Sequence, residues 1–385
     1  MRNMISNKTL NTPRSMVREF VGMSYKYDKV LSFGFGQPDF TTAPHITKAI
    51  KDSIDRGESF YAPAAGILPL REAICELYEQ RGVHYDTDEI VIGIGGISSI
   101  FLALSTMLDI GDEVIVHDPC YATYVSTILE LGAVPVPVPI YEEDGFMIRP
   151  EALRAAITPK TKVLFINFPS NPTGGVATRA NLEEIAKICV ENDIFVLTDE
   201  MYRTFLWTDE PFTSIVEFPG MKERTVIVDG FSKTYAMTGY RLGWLAAPKH
   251  IIPSMHLLLE NIWSSVPEPI QWGGIAALKG GDERVREMME LYRHRKVLLN
   301  EGINSLGVIH AKPPAGAFYL FVNIKDTGLD SRTFSTLLLD REQVLTIPGL
   351  GFGKCGEGFV RFCYATNDDN INEGIDRVAR FLKTI

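Results

Sequence analysis

The sequence predicts an α/β protein: a large domain with a mainly parallel seven-stranded sheet flanked by helices, plus a smaller α+β domain. Three observations carry that expectation. The chain has 385 residues, more than a single hydrophobic core serves, so two lobes are expected. Between about residues 41 and 280, short β-branched apolar runs alternate with longer stretches of helical period, the pattern of βαβ units building a parallel sheet. Beyond residue 281 the alternation stops, and one long helical stretch is followed by isolated strand-like runs.

The strand runs of the large domain fall at 90–94, 113–116, 134–138, 162–167, 194–199, 225–229 and 244–247. Between them, 150–157 and 180–192 have helical period, the second with Leu182, Ile185, Ala186 and Cys189 on one face. The later part predicts a helix over 283–306 and strands over 317–322, 344–347 and 359–364. The stretch up to Gly36 is expected to pack on that second lobe. The domains are therefore expected to be 41–280 for the large one, and 1–40 with 281–385 for the small one, built from both termini.

Apolar residues make up 45% and charged residues 22% of the chain, a composition that a packed globular core requires. A net charge of -10 without clustered Lys and Arg argues against nucleic acid and for small-molecule chemistry. No apolar run reaches the ~20 residues of a membrane span, and no apolar signal core opens the chain. A cytoplasmic location without membrane contact is expected. The five cysteines, Cys75, Cys120, Cys189, Cys355 and Cys363, are odd in number and lack ligand spacing, so neither disulfides nor a metal site is expected.

In open parallel sheets the ligand crevice lies beyond the carboxyl ends of the strands, so polar residues directly after strands are the candidates. The segment 229–244, DGFSKTYAMTGYRLGW, places Ser232, Lys233 and Arg241 together after one strand, bracketed by glycines. Such a set can hold a phosphorylated aldehyde. The Lys supplies a Schiff-base nitrogen once burial lowers its pKa from the usual ~10.4, and the Arg grips phosphate oxygens with two N–H groups. Asp199 ends the apolar run 194–197, and the loop 167–174, NFPSNPTG, follows another strand. The turn 93–99, GIGGISS, also follows a strand and opens a helix, where backbone N–H groups can receive an anion. Ser98 breaks the dinucleotide fingerprint there, which lowers a nicotinamide reading.

Together these segments resemble the class I/II aminotransferases, pyridoxal 5'-phosphate (PLP) enzymes of fold type I. Ser232 and Lys233, followed by Gly239, Arg241 and Gly243, match the signature S-K-x-x-x-x-x-G-x-R-x-G, and 167–174 matches the loop N-x-P-x-N-P-T-G. The similarity runs over nearly the whole chain. It implies that Lys233 carries PLP as a Schiff base and moves protons as a general acid/base. Asp199 would hold the pyridine nitrogen protonated, Tyr202 and Asn171 would contact the ring's phenolic oxygen, and Tyr121 would stack on the ring. The amides of Gly96 and Ile97, with Ser232 and Arg241, would bind the phosphate. Tyr61 would reach the phosphate of a neighbouring subunit, which implies a homodimer with shared active sites. Arg361 would grip the substrate α-carboxylate, with Asn171 and the backbone of Gly36 beside it.

The implied reaction, part of amino acid metabolism, moves an amino group from an L-amino acid to a 2-oxo acid by a ping-pong cycle, with 2-oxoglutarate as the expected acceptor. A PLP-dependent carbon-sulfur lyase shares nearly all these motifs and is the alternative. A PLP-sensing regulator is disfavoured, because the motif at 34–39 begins too early for a DNA-binding module ahead of it. Two departures stand out: Gly230 where many relatives have Ser, and Ile97 where an acidic-substrate branch carries Lys. The second weakens an aspartate-specific reading. Tyr25, Phe33, Phe35 and Trp263 could line a pocket for aromatic substrates, and core packing explains each more simply.

Overall fold

The computed structural model describes residues 4–385; residues 1–3 of the segment assigned to the small domain lie outside them. Its strands are β1 (Leu31–Ser32), β2 (Ile90–Gly93), β3 (Glu113–Asp118), β4 (Val134–Pro139), β5 (Thr161–Asn167), β6 (Phe195–Asp199), β7 (Thr225–Gly230), β8 (Gly243–Ala246), β9 (Tyr319–Asn323), β10 (Val344–Leu345), β11 (Ile347–Pro348) and β12 (Phe359–Cys363). Each of the seven expected strands of the large sheet lies within two residues of its predicted range.

The large sheet has the order β2-β8-β7-β6-β5-β3-β4, and β8 alone runs antiparallel to its neighbours. Helices cover both faces, so β2 and β7 are buried at every position and read as continuous apolar runs rather than alternating ones. The edge strand β4 has the sequence VPVPVP, and proline, which cannot donate to a ladder, is tolerated there because β4 pairs on one side only. Its prolines also blunt the edge against further pairing. β3 runs to Asp118, beyond the predicted 116, because His117 and Asp118 continue the pairing with β4 although their polarity disguises them as loop.

The other lobe holds an antiparallel sheet of order β11-β12-β9, while β1 pairs in parallel with β10. The single strand expected at 344–347 is thus two short strands in different sheets, with Thr346 at the switch. The strand expected from 317 begins instead at Tyr319, since Ala317 has a left-handed φ of 56° that a ladder does not accept. The helix Met16–Ser24 buries Phe20, Val21 and Ser24 and packs beside β10 and β11. The helix Glu283–Asn304 anchors the segment before the large sheet: Tyr292 donates to Asp39 Oδ1 at 2.9 Å, and Arg295 Nη1 donates to both Asp39 oxygens. Among the described residues no helix is long and apolar enough to cross a membrane.

Candidate active site

The carboxyl ends of β3, β5, β6 and β7 open into one cavity of about 710 Å³, closed on its far side by β9, β12 and the helix Met16–Ser24. Asn167 and Asp199 are register partners at the last pair of β5 and β6, so the parallel ladder itself brings the two motif segments side by side. The side chain of Asn167 then fixes both: Nδ2 donates to the Asp199 carbonyl at 2.9 Å, and Oδ1 accepts from the Asn171 amide at 3.0 Å. The Asn171–Pro172 peptide is cis.

Asp199 is buried at the cavity floor. Its Oδ2 accepts from the Tyr124 hydroxyl at 2.7 Å and its Oδ1 from the Met201 amide at 3.0 Å. Loss of water raises its pKa to about 6, against the lowering effect of those two bonds. Lys233, just after β7, points across the same cavity and its Nζ donates to the Gly36 carbonyl. Burial, aided by the nearby Arg361 and Arg241 guanidinium groups and opposed by Cys363 and Asp199, lowers the Lys233 pKa to about 8. A lysine with so depressed a pKa has a usable fraction of neutral amine near neutral pH, which a nucleophile requires.

Arg361, on β12, is 2% exposed. Nη1 donates to Asn171 Oδ1 at 2.8 Å and Nη2 to the Gly34 carbonyl at 2.6 Å, while Nε has no partner among the described residues. The guanidinium lies 4.6 Å over the Tyr319 ring and 4.8 Å over Phe352, so its plane is held for an incoming carboxylate. Arg361→Ala is expected to weaken binding of small carboxylates to the cavity roughly a hundredfold, as measured by ligand titration.

The wall opposite carries an anion cradle. The helix Gly95–Met107 starts at the cavity, so the amides of Gly96 and Ile97 lie in its first turn, and Ser232 and Arg241 flank it. Gly95 has φ +74°, and a Cβ there would stand 2.7 Å from Arg241 Nη2; only glycine lets the guanidinium sit against this turn. Gly230 is explained in the same way. A Cβ would stand 3.0 Å from the Gly243 Cα and the Leu242 carbonyl, so a serine there would crowd the pairing of β7 with β8.

Eleven of the twelve residues singled out in the sequence line this cavity, including Tyr121 and Tyr202. Tyr61 does not: it is 91% exposed and lies away from the cavity of its own chain. Tyr319 and Tyr124 were missed. Tyr319 shares a 2.7 Å hydroxyl bond with Tyr202 and occupies the space where a Cβ on Gly36 would collide with it, which explains that glycine. The signal for Tyr319 lay in the strand period, since residues 319 and 321 pair with Cys363 and Arg361 on one face of β9 and β12. Of the four aromatics considered for a pocket, Phe33 is buried in one apolar cluster and Trp263 packs against another, but Tyr25 and Phe35 line the cavity and are 78% and 49% exposed. Core packing does not account for those two.

The residues fit a phosphorylated pyridine aldehyde: an anion cradle at a helix start, a buried carboxylate, a lysine of low pKa and an arginine with a free Nε converge on one cavity. Comparison with known proteins agrees. The family described as "Aminotransferase class I and II" matches residues 28–378. The chain is 40% identical over 376 residues to aromatic-amino-acid aminotransferase 2 of Thermococcus litoralis, and 41% identical over 376 residues to an aspartate aminotransferase of Pyrococcus abyssi. Both alignments cover 96% of this chain and 96% of the relative. A solved aspartate aminotransferase of Thermus thermophilus, with maleate, superposes with a TM-score of 0.93 at 33% identity, covering 99% of this chain and 100% of that one. The chain belongs to the class I and II aminotransferases, a family that uses PLP, and it transfers amino groups between amino acids and 2-oxo acids.

Proposed function

We propose that this aminotransferase carries PLP on Lys233 and returns the amino group to 2-oxoglutarate as a cytoplasmic homodimer. The observation that carries the cofactor assignment is the pairing of a lowered Lys233 with a raised Asp199 across one cavity that also holds Arg361 and the helix-start cradle. When bound, PLP supplies an aldehyde that condenses with amines and a ring that draws electrons from the substrate Cα–H bond.

The chain's own residues divide the remaining work. Asp199, held by Tyr124 and the Met201 amide, keeps a proton on the ring nitrogen through its negative charge. Gly96, Ile97, Ser232 and Arg241 hold the phosphate, and Tyr121 covers the ring face. Tyr202, steadied by Tyr319, and Asn171, steadied by Arg361, hold the phenolic oxygen. Arg361, with Asn171 and Gly36, fixes the substrate α-carboxylate so that Cα stands near Lys233. Lys233 Nζ, freed from the cofactor, moves the Cα proton. The exposed neighbours Phe60 and Tyr61 form an apolar patch that suits a second copy of the chain, where Tyr61 reaches the partner's phosphate site. The lobes are assigned as residues 41–280 and as 1–40 with 281–385.

Borohydride reduction of the purified holoenzyme followed by peptide mass mapping tests this reading. A pyridoxyl group on Lys233 is expected, and its absence from that side chain would defeat the assignment.

A further inference from the structure

The segment 349–356, GLGFGKCG, folds as two 3-10 turns, Gly349–Phe352 and Lys354–Gly356, and runs on into β12 with Arg361. The leading amides of such a turn find no acceptor inside it, and N–H groups shielded from water need one. Here the acceptor comes from the large sheet. Asp118, the last residue of β3, accepts from the Lys354 amide through Oδ2 and from the Cys355 amide through Oδ1, each at 3.1 Å. A third bond closes the same seam, from the Cys120 amide to the Phe352 carbonyl at 2.8 Å. Gly353 has φ +133°, and a Cβ on it would collide with the Asp118 carboxylate, so glycine is what admits the carboxylate to the turn.

Phe352 joins this seam to the site. Its carbonyl is held by Cys120, and its ring lies 4.8 Å from the Arg361 guanidinium. The Asn171 and Gly34 bonds fix the edge of that guanidinium, whereas the rings of Phe352 and Tyr319 fix its plane, and a two-pronged grip on a carboxylate needs the plane as well as the edge. Tyr319 is built into β9, but Phe352 stands between Gly351 and Gly353, in backbone that needs an outside tie to be rigid. We propose that Asp118 is a positioning residue for Arg361, acting from the large sheet through Phe352, on the reading above in which Arg361 takes the substrate α-carboxylate.

Asp118 does not line the cavity, so it touches neither substrate nor cofactor and acts through its hold on the turn. It is buried, and burial pushes its carboxyl up while the bonds from Cys355 and Lys354 pull it back. A side chain needed only to fill space here would be uncharged. The charge is spent on the two amides, each of which makes a charge-assisted bond across the seam between the two sheets.

The test titrates holoenzymes with maleate and 3-phenylpropionate, unreactive carboxylates with unlike far ends, followed by the absorbance of the bound cofactor. It compares wild type with Asp118→Asn, Phe352→Leu, the double variant and Arg361→Ala. Asp118→Asn keeps the shape and one acceptor oxygen, and it is expected to raise both dissociation constants about five- to tenfold, by the same factor for each ligand. Removing a negative charge would by itself favour an anion, so weaker binding reports lost position rather than a changed field. Adding Asp118→Asn to Phe352→Leu is expected to change affinity by less than about twofold, because the route through the ring is already gone. Each variant is expected to keep the pyridoxyl group on Lys233 after borohydride treatment, which shows it folded and loaded. Unchanged affinity in Asp118→Asn, effects that multiply in the double variant, or loss of the pyridoxyl group from Asp118→Asn alone overturns the role given to Asp118 and leaves Arg361 untouched. Carboxylate affinity unchanged by Arg361→Ala overturns the α-carboxylate assignment, and the role of Asp118 with it.

Discussion

Replacing Lys233 by alanine is expected to lower kcat for amino transfer by about four orders of magnitude, because in the proposed assignment one atom, Nζ, both anchors the cofactor and moves the Cα proton. The rest of the site does not depend on that side chain. Arg361 is held by Asn171 and the Gly34 carbonyl, and Asp199 by Tyr124 and the Met201 amide, so the variant keeps its phosphate cradle and its carboxylate grip. It is therefore expected to bind cofactor without a link that borohydride can fix, a combination that general unfolding would not produce. The same nitrogen sets a pH dependence in the wild type. With a pKa of about 8, the neutral amine predominates above that pH and is lost below it. Capture of PLP by the apoprotein, followed by absorbance, is expected to slow about tenfold per pH unit below about 8 and to level off above it. A flat profile from pH 6 to 9 would show that another group limits the step.

The parts of this protein that could be read directly from its sequence are those whose physical cause is local. A parallel strand covered on both faces leaves a continuous apolar run, and a group placed for chemistry follows such a run within a few residues; Asp199 and Lys233 are found by that rule. Strand ends are harder where polarity misleads, as at His117 and Asp118, or where two residues suffice to pair, as in β10 and β11. What local pattern does not carry is contact across the chain. Tyr124 reaches Asp199 over 75 positions and Tyr202 meets Tyr319 over 117, so each tyrosine reads as ordinary helix or strand packing until the sheet brings it round.

The buried carboxylate invites the second large effect. Folding carries Asp199 from the ordinary 3.8 to about 6, some two pKa units, so its ionised form costs the apoprotein on the order of 3 kcal/mol at neutral pH. The sign follows from the direction of the shift: the folded chain binds the proton more tightly than the unfolded chain, so this group's penalty grows as pH rises from about 4 to 6 and stays in full above. A side chain chosen for stability alone would not be charged here. Asparagine has nearly the same shape, can accept from the Met201 amide and can donate toward the Tyr124 oxygen, so Asp199→Asn removes the charge and keeps the packing. The apo variant is expected to melt no lower than wild type at pH 7, and higher if the desolvated charge is fully relieved. Amino transfer is expected to fall roughly a hundred- to a thousandfold in kcat, since a neutral amide does not hold a proton on the ring nitrogen. Scanning calorimetry and steady-state kinetics on the same preparation separate the two effects. A variant that loses stability in proportion to activity would make Asp199 a packing residue, whereas activity lost from an apoprotein of equal or greater stability shows that the charge is retained for the chemistry above it.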